Sequence, residues 1–159
     1  MARSPEAPVL FGSVSISDSY HPVSRRLMAG FLESHEAHRE LARFVRSRRR
    51  VPGAPRTHSE DETMAMVYED LDSLGGPISD IEADGKGVPV LVRQYLKMGG
   101  KLLGLTVDPA FSNTLDALIL VDLRLTQRNM LERYMSKAEA ASFLAYHKLN
   151  EMVSKRIAS

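Results

Sequence analysis

Residues 84–123 read DGKGVPVLVRQYLKMGGKLLGLTVDPAFSNTLDALILVDL, and this stretch decides the fold. Its early proline and its later Gly-Gly pair predict a helix over Val88–Met98. The apolar runs Lys101–Val107 and Leu115–Leu123 predict two strands joined by a loop over Asp108–Asn113. The second run is so densely apolar that we expect it to be buried on both faces.

Upstream of this stretch, the spacing of apolar residues changes from that of a strand to that of a helix. Val9–Ser17 alternates apolar residues with serine, which predicts a strand with one apolar face. Val23–Arg46 carries apolar residues at helical spacing, although Ser34–His38 weaken the stripe. We therefore predict one strand followed by one long helix.

The middle of the chain is rich in arginine, proline and glycine. We interpret residues 48–58 as a mobile basic loop. Ser59 and Glu62 have the spacing of a capping box, which predicts a helix over Glu60–Leu74. Gly75-Gly76-Pro77 should stop that helix, and we expect Ile78–Gly87 to be irregular.

Two further helices are predicted at the end of the chain. Thr126 opens a short one through Met135, and a capping box at Ser136 and Glu139 starts a final one towards Ile157. The order of elements predicts an α/β (α+β) fold for residues 1–159 as a single domain. Three strands are few for this length, so we expect a further strand in an irregular segment or a sheet completed by chain outside this sequence.

Charge is balanced overall but unevenly distributed. Lys and Arg number 21 against 20 Asp and Glu, for a net charge of +1. Arginines are concentrated between residues 39 and 56, where Glu40 is the only acid. The basic patch consists of Arg43, Arg46, Arg48, Arg49 and Arg50. It can attract an anionic membrane or nucleic acid, or it can be a solvated loop.

Several residues between 84 and 123 are candidates for substrate binding or catalysis. Gly85-Lys86-Gly87 precedes a predicted helix and can hold a phosphate or carboxylate, or it can be a plain turn with a solvated lysine. Asp84 is our candidate general base for an amine, with a solvated acidic loop as the alternative. Arg93 can pair with a carboxylate of an acceptor or form a surface ion pair.

The loop between the two predicted strands supplies the remaining candidates. Asp108, Phe111 and Asp116 lie in it or flank it, and binding residues are often found on such loops. Asp108-Pro109 is equally a good turn start. His35 and His38 have the wrong spacing for a helical zinc site, so we predict no metal. The chain has no cysteine, which fits a reducing compartment, and we expect a cytoplasmic protein.

Eight stretches between Leu10 and His147 resemble bacterial hemolysin-like proteins. They are Leu10–Ser17, Ser24–Leu27, Asp80–Leu91, Arg93–Lys97, Val107–Pro109, Leu115–Asp116, Val121–Leu123 and Phe143–His147. Those proteins belong to the GNAT-fold N-acyltransferases, a group that includes the ornithine-acyl carrier protein N-acyltransferases of ornithine-lipid synthesis. The sequence departs from the pattern at Ser13, where the resemblance leads us to expect proline, and in the extension after His147.

The resemblance implies that residues 1–159 are the C-terminal half of such an enzyme. The implied fold is a partial GNAT-like one, with a small mixed sheet, an antiparallel C-terminal strand pair and several flanking helices. The implied reaction moves a long acyl group from acyl carrier protein or coenzyme A to an amine in lipid metabolism. The acyl thioester is a substrate, and no bound cofactor is implied.

One motif of the GNAT fold is absent from this sequence. Its Arg/Gln-x-x-Gly-x-Gly/Ala turn binds the donor pyrophosphate, but the residue three before Gly85 is Glu82. We therefore expect a missing N-terminal half of the same fold and no activity from this chain alone. The expected partners are acyl carrier protein and, peripherally, the anionic inner face of the membrane. The alternative function is a non-catalytic module that binds anionic membrane or nucleic acid through Arg43–Arg50, and of these we do not favour nucleic acid.

Overall fold

The computed structural model describes residues 6–47, 49 and 68–157. Its three strands are β1 (Val9–Ile16), β2 (Lys101–Asp108) and β3 (Thr114–Asp122), arranged in the order β1-β3-β2 with both pairings antiparallel. The helices are α1 (Pro22–His35), α2 (Arg39–Ala42), α3 (Leu71–Ile81), α4 (Val90–Lys97), α5 (Arg128–Tyr134) and α6 (Lys137–Ile157), and a 3-10 turn (Pro109–Phe111) joins β2 to β3. The predicted α/β (α+β) class and the antiparallel strand pair flanked by helices are confirmed.

The sheet buries one face and leaves the other partly open. Along β3, Leu115, Ala117, Ile119 and Val121 are buried, while the alternate residues are half-buried. The prediction that this strand is buried on both faces is therefore wrong. An antiparallel sheet needs only one face on the core, and the strand alternates accordingly.

The core forms where helices cover the buried face. Phe31 and Leu32 from α1 and Leu74 and Ile78 from α3 belong to the same buried cluster as the apolar residues of the sheet. Each of these four side chains is nearly or fully excluded from water, so together they fix α1 and α3 against the strands. None of the described helices is both long enough and apolar enough to cross a bilayer.

The predicted helix over Val23–Arg46 is broken after His35. Leu102 of β2 donates its backbone N–H to Glu36 O at 2.6 Å and accepts from His38 N at 2.8 Å. Ala37 consequently forms a parallel bridge with Leu102, which adds a parallel contact to the otherwise antiparallel sheet. The prediction of one continuous helix is wrong because the outer edge of β2 offers these backbone partners where the apolar stripe weakens.

The predicted stop at Gly75-Gly76-Pro77 is also wrong, because α3 runs through it to Ile81. Gly76 has no Cβ, so the ring of Pro77 meets less steric conflict with the residue before it. Asp70 is the N-cap of α3, and its side chain accepts from Ser73 N at 2.7 Å in a capping box. The predicted capping box at residues 59–62 and the basic loop, apart from Arg49, lie outside the described residues.

Candidate functional site

The open face of the sheet carries a cavity of about 310 Å³. Its walls come from all three strands and from the segment that follows α2. The lining residues are Ser13, Val45, Arg46, Ser47, Gly104, Leu105, Thr106, Asp116 and Leu118. This volume is at the small end of the range for sites that bind small molecules.

The strand register brings the cavity residues together. Asp116 pairs with Ser15 of β1 and with Thr106 of β2, and Leu118 two residues later pairs with Ser13 and Gly104. Residues two apart in a strand share a face, so these positions form one surface. Gly104 leaves room for the neighbouring segment, because a Cβ there would lie 3.0 Å from Val45 Cγ1.

Two groups of opposite charge line this cavity. The Asp116 carboxylate accepts a hydrogen bond from Ser15 Oγ at 2.6 Å, which orients it. Arg46 contributes an exposed guanidinium from the segment after α2. A carboxylate can bind an ammonium group or take its proton, and a guanidinium can bind a carboxylate or phosphate. The cavity therefore suits a small molecule that carries both an amine and an anionic group.

Backbone and side-chain hydrogen bonds hold the Arg46 segment against β2. The Ser47 hydroxyl donates to the Leu105 carbonyl, and Val107 N donates to Arg49 O at 3.2 Å. The Arg49 backbone N–H reaches Thr106 Oγ1 at 3.4 Å. These contacts fix Arg46 beside the strand that lines the cavity. Of the predicted basic patch, Arg48 and Arg50 lie outside the described residues.

Asp84, Gly85, Lys86 and Gly87 form a separate cluster away from the cavity walls. Lys86 Nζ lies 3.6 Å from a Glu82 oxygen, 3.5 Å from Asp84 and 4.5 Å from the centre of the Tyr20 ring. The Tyr20 hydroxyl donates to Gly87 O at 2.8 Å. The lysine predicted to contact a phosphate is thus engaged in fastening this turn to the loop after β1.

Glu82 anchors this cluster and was not among the predicted site residues. Its side chain is buried and accepts from His21 N at 2.8 Å. The pKa of Glu82 lies below its ordinary value, because of the nearby Ser24 hydroxyl first and then because of the His21 amide and the Lys86 ammonium. Ser24 Oγ is itself buried, and it makes no hydrogen bond of ordinary geometry with another described residue. In the sequence, Glu82 stands out only by its alternation with Asp80 and Asp84 and by its place three residues before Gly85.

Replacing Glu82 with glutamine is expected to lower the stability of the fold. A depressed carboxyl pKa contributes stability above the unfolded value of about 4.3, and this contribution is lost as the pH falls through the lower folded pKa. The difference between wild type and Glu82→Gln should therefore be full at neutral pH and shrink on acidification. Urea unfolding across this pH range measures it, with exposed Glu69→Gln as control.

The pH dependence of this stability difference distinguishes an electrostatic role of Glu82 from a packing role. Asp70, Asp122 and Glu139 also have lowered pKa values, so the wild-type acid profile alone does not isolate Glu82. A difference that is the same at neutral pH and well below pH ~4 would contradict the electrostatic role.

Arg93, Asp108 and Phe111 also lie away from the cavity walls. The Arg93 guanidinium is 3.4 Å from Asp72 and lies beside Gly75, where a Cβ would be 3.1 Å from it. Asp108 caps the 3-10 turn by accepting from Ala110 N at 2.8 Å. Phe111 is 70% exposed. Of the predicted substrate-binding residues, Asp116 lines the cavity together with Arg46 of the predicted patch.

An apolar groove of about 360 Å³ lies between β1, β3, α4 and the end of α5. Its walls are Leu10, Phe11, Leu91, Gln94, Tyr95, Met98, Val121 and Tyr134. Gln94 accepts from the Tyr134 hydroxyl at 3.3 Å, so its amide oxygen already has a partner. Such a groove suits an aliphatic chain better than a charged group.

In both the cavity and the apolar groove, the functional groups belong to protein side chains. Among the described residues, no group of three or more His, Asp or Glu side chains lies close enough to hold a metal ion. The polar groups at hand are a carboxylate, a guanidinium, hydroxyls and an amide. Comparison of the chain with protein-family models, with curated proteins and with solved structures finds no match.

Proposed function

We propose that this chain forms the acceptor side of a GNAT-like N-acyltransferase. The reaction moves a long acyl group from acyl carrier protein, or from coenzyme A, to an amine in lipid metabolism. The observation that carries this proposal is the cavity on the open sheet face, where Asp116 and Arg46 line the same space. The resemblance over Leu10–His147 supports the reaction class.

Different cavity residues bind different groups of the acceptor. Asp116, oriented by Ser15, binds the ammonium group and takes its proton, since only the neutral amine can attack a thioester. Attack forms the C–N bond and breaks the C–S bond, and the thiolate leaves to be protonated. Arg46 pairs with an anionic group of the acceptor. Asp84 is the base favoured by sequence, but it does not line the cavity, and we assign this role to Asp116.

The apolar groove supplies the second requirement, a place for a long acyl chain. Seven of its eight lining residues are aliphatic, aromatic or methionine, and Phe11 and Leu91 are largely exposed at its rim. Burying methylene groups there is favourable by about 0.8 kcal/mol for each one removed from water. On this proposal, the groove contributes part of the acyl channel.

The acceptor assignment predicts a specific loss of binding. Asp116→Asn should weaken binding of ornithine by about 10-fold or more, because a hydrogen bond to a charged group contributes about 1.5–3 kcal/mol. Isothermal titration calorimetry on residues 1–159 measures this. Asp80→Asn, which changes an exposed acid outside the cavity, should bind as wild type does. Unchanged ornithine binding by Asp116→Asn, or no binding by wild type, would remove the cavity as the acceptor site.

A turnover assay tests the proposed division of the fold. The donor-phosphate motif is absent from residues 1–159, so we propose that an N-terminal half of the same fold completes the enzyme in the cytoplasm. Purified residues 1–159 mixed with acyl carrier protein thioester and ornithine should give no N-acyl product by mass spectrometry. Product formation by this polypeptide alone would contradict that division.

A further inference from the structure

The turn that follows α2 exposes two large apolar side chains. Phe44 is 71% exposed and Leu41 is 39% exposed. Phe44 N donates to Leu41 O at 3.0 Å, so the helical turn continues past Ala42 and brings the two residues to the same side. We refer to residues 39–46 as the basic turn. Its two apolar side chains, Leu41 and Phe44, do not belong to the buried core.

Exposed arginines accompany these two side chains in the basic turn. Arg39, Arg43 and Arg46 are exposed, and none forms a salt bridge with another described residue. The Arg43 guanidinium lies 4.7 Å from the centre of the Phe44 ring, so the cationic and apolar groups are adjacent. Glu40 is the only acid in the basic turn. The surface is therefore cationic and locally apolar at once.

The basic turn is held in a fixed position on the sheet. Before it, His38 N donates to Leu102 O at 2.8 Å. After it, the Ser47 hydroxyl donates to the Leu105 carbonyl, and Val45 packs beside Gly104. Both ends are fastened to β2, so the side chains project from a rigid support and lose less freedom on binding.

We propose that the basic turn docks this protein on an anionic lipid bilayer, with Phe44 and Leu41 inserted at the boundary between headgroups and acyl chains. Arginine beside Phe and Leu is the composition of interfacial membrane segments. Single-stranded nucleic acid fits less well, because it needs an open aromatic face for stacking and Arg43 covers one face of Phe44. An acidic protein such as acyl carrier protein would satisfy the charges, whereas a bilayer also takes up the exposed side chains of Phe44 and Leu41.

Vesicle binding tests the charge requirement. Residues 1–159 should sediment with vesicles of equal parts phosphatidylcholine and phosphatidylglycerol, and not with phosphatidylcholine alone. Arg39→Glu with Arg43→Glu, which leaves Arg46 of the cavity unchanged, should weaken partitioning by about 25-fold or more, since each basic residue contributes a factor of about five. Arg26→Glu, which changes an exposed arginine on α1, should have a far smaller effect. Equal binding by the double variant, with an unchanged melting curve, would overturn the proposal.

Fluorescence tests the insertion itself. The chain contains no tryptophan, so Phe44→Trp introduces a single indole that reports on its surroundings. Its emission should shift to the blue with anionic vesicles and be quenched by brominated lipid, whereas Phe111→Trp should show neither effect. Single-stranded RNA and acidic acyl carrier protein serve as competing ligands. Charge-dependent binding to either one without vesicle binding, or an unchanged Phe44→Trp emission on vesicles, would refute insertion.

Discussion

Phe31→Ala is expected to lower the free energy of unfolding by about 3–5 kcal/mol. Phe31 is 2% exposed and lies where α1 meets the buried cluster, stacked on the His35 ring with centroids 4.6 Å apart. Truncation removes apolar contacts and leaves a cavity that the rigid neighbours in the buried cluster cannot fill. A domain of this kind has a total stability of only about 5–15 kcal/mol, so the loss is a large fraction of it.

Urea unfolding followed by circular dichroism measures this loss, and two further variants fix its cause. Phe31→Leu keeps most of the volume and should cost less than about 1.5 kcal/mol. Phe111→Ala removes the same side chain from a position that is 70% exposed and should change stability by less than about 0.5 kcal/mol. If Phe31→Ala were no worse than Phe111→Ala, α1 would not be part of the core.

The strands of this fold were predictable because their signals are local. Val14 and Ile16 alternate with serines, and the runs that form β2 and β3 are bounded by Gly99-Gly100 and Asp108-Pro109. Such patterns fix secondary structure without reference to the rest of the chain. The three predicted strands accordingly match β1, β2 and β3 to within about two residues at each end.

The errors in the helices come from contacts that no local pattern contains. The break after His35 depends on Leu102, more than sixty residues later in the chain. The continuation of α3 through Pro77 is accompanied by complete burial of Ile78 in the core cluster. The short helix predicted from Thr126 through Met135 is confirmed as α5 (Arg128–Tyr134), and the Thr126 hydroxyl just before it donates to Met98 O at 2.7 Å.

The candidate cavity could be predicted only in part for the same reason. Asp116 was a candidate because of its place near a loop, and Arg46 because it belongs to an arginine cluster. Neither signal places them together, since that depends on the β1–β3 register and on how residues 45–47 lie along β2. Ser13 and Ser15 were recognisable as one polar face of β1, but their pairing with Leu118 and Asp116 was not.

Gly100→Ala is expected to destabilise the fold by about 1–3 kcal/mol, by overpacking at a backbone position that cannot yield. A Cβ at this position would lie 2.6 Å from the Tyr95 carbonyl oxygen and 2.9 Å from Ile119 Cγ2. Gly100 N also donates to Tyr95 O at 2.9 Å, so moving away would break the bond that ends α4. The close approach lets the chain pass directly from α4 into β2.

Alanine substitutions at two other glycines distinguish overpacking at Gly100 from an effect of backbone conformation. Gly99 has a φ of +82° and open space at its Cβ position, so Gly99→Ala should cost about 1–2 kcal/mol through left-handed strain alone. Gly12 in β1 has neither restriction, and Gly12→Ala should be neutral or stabilising by up to about 1 kcal/mol. Urea unfolding of the three variants measures these differences. If Gly100→Ala were as stable as Gly12→Ala, the Tyr95 carbonyl and Ile119 would have to be free to move apart. The close approach between α4 and β2 would then not be needed to hold the strand pair in place.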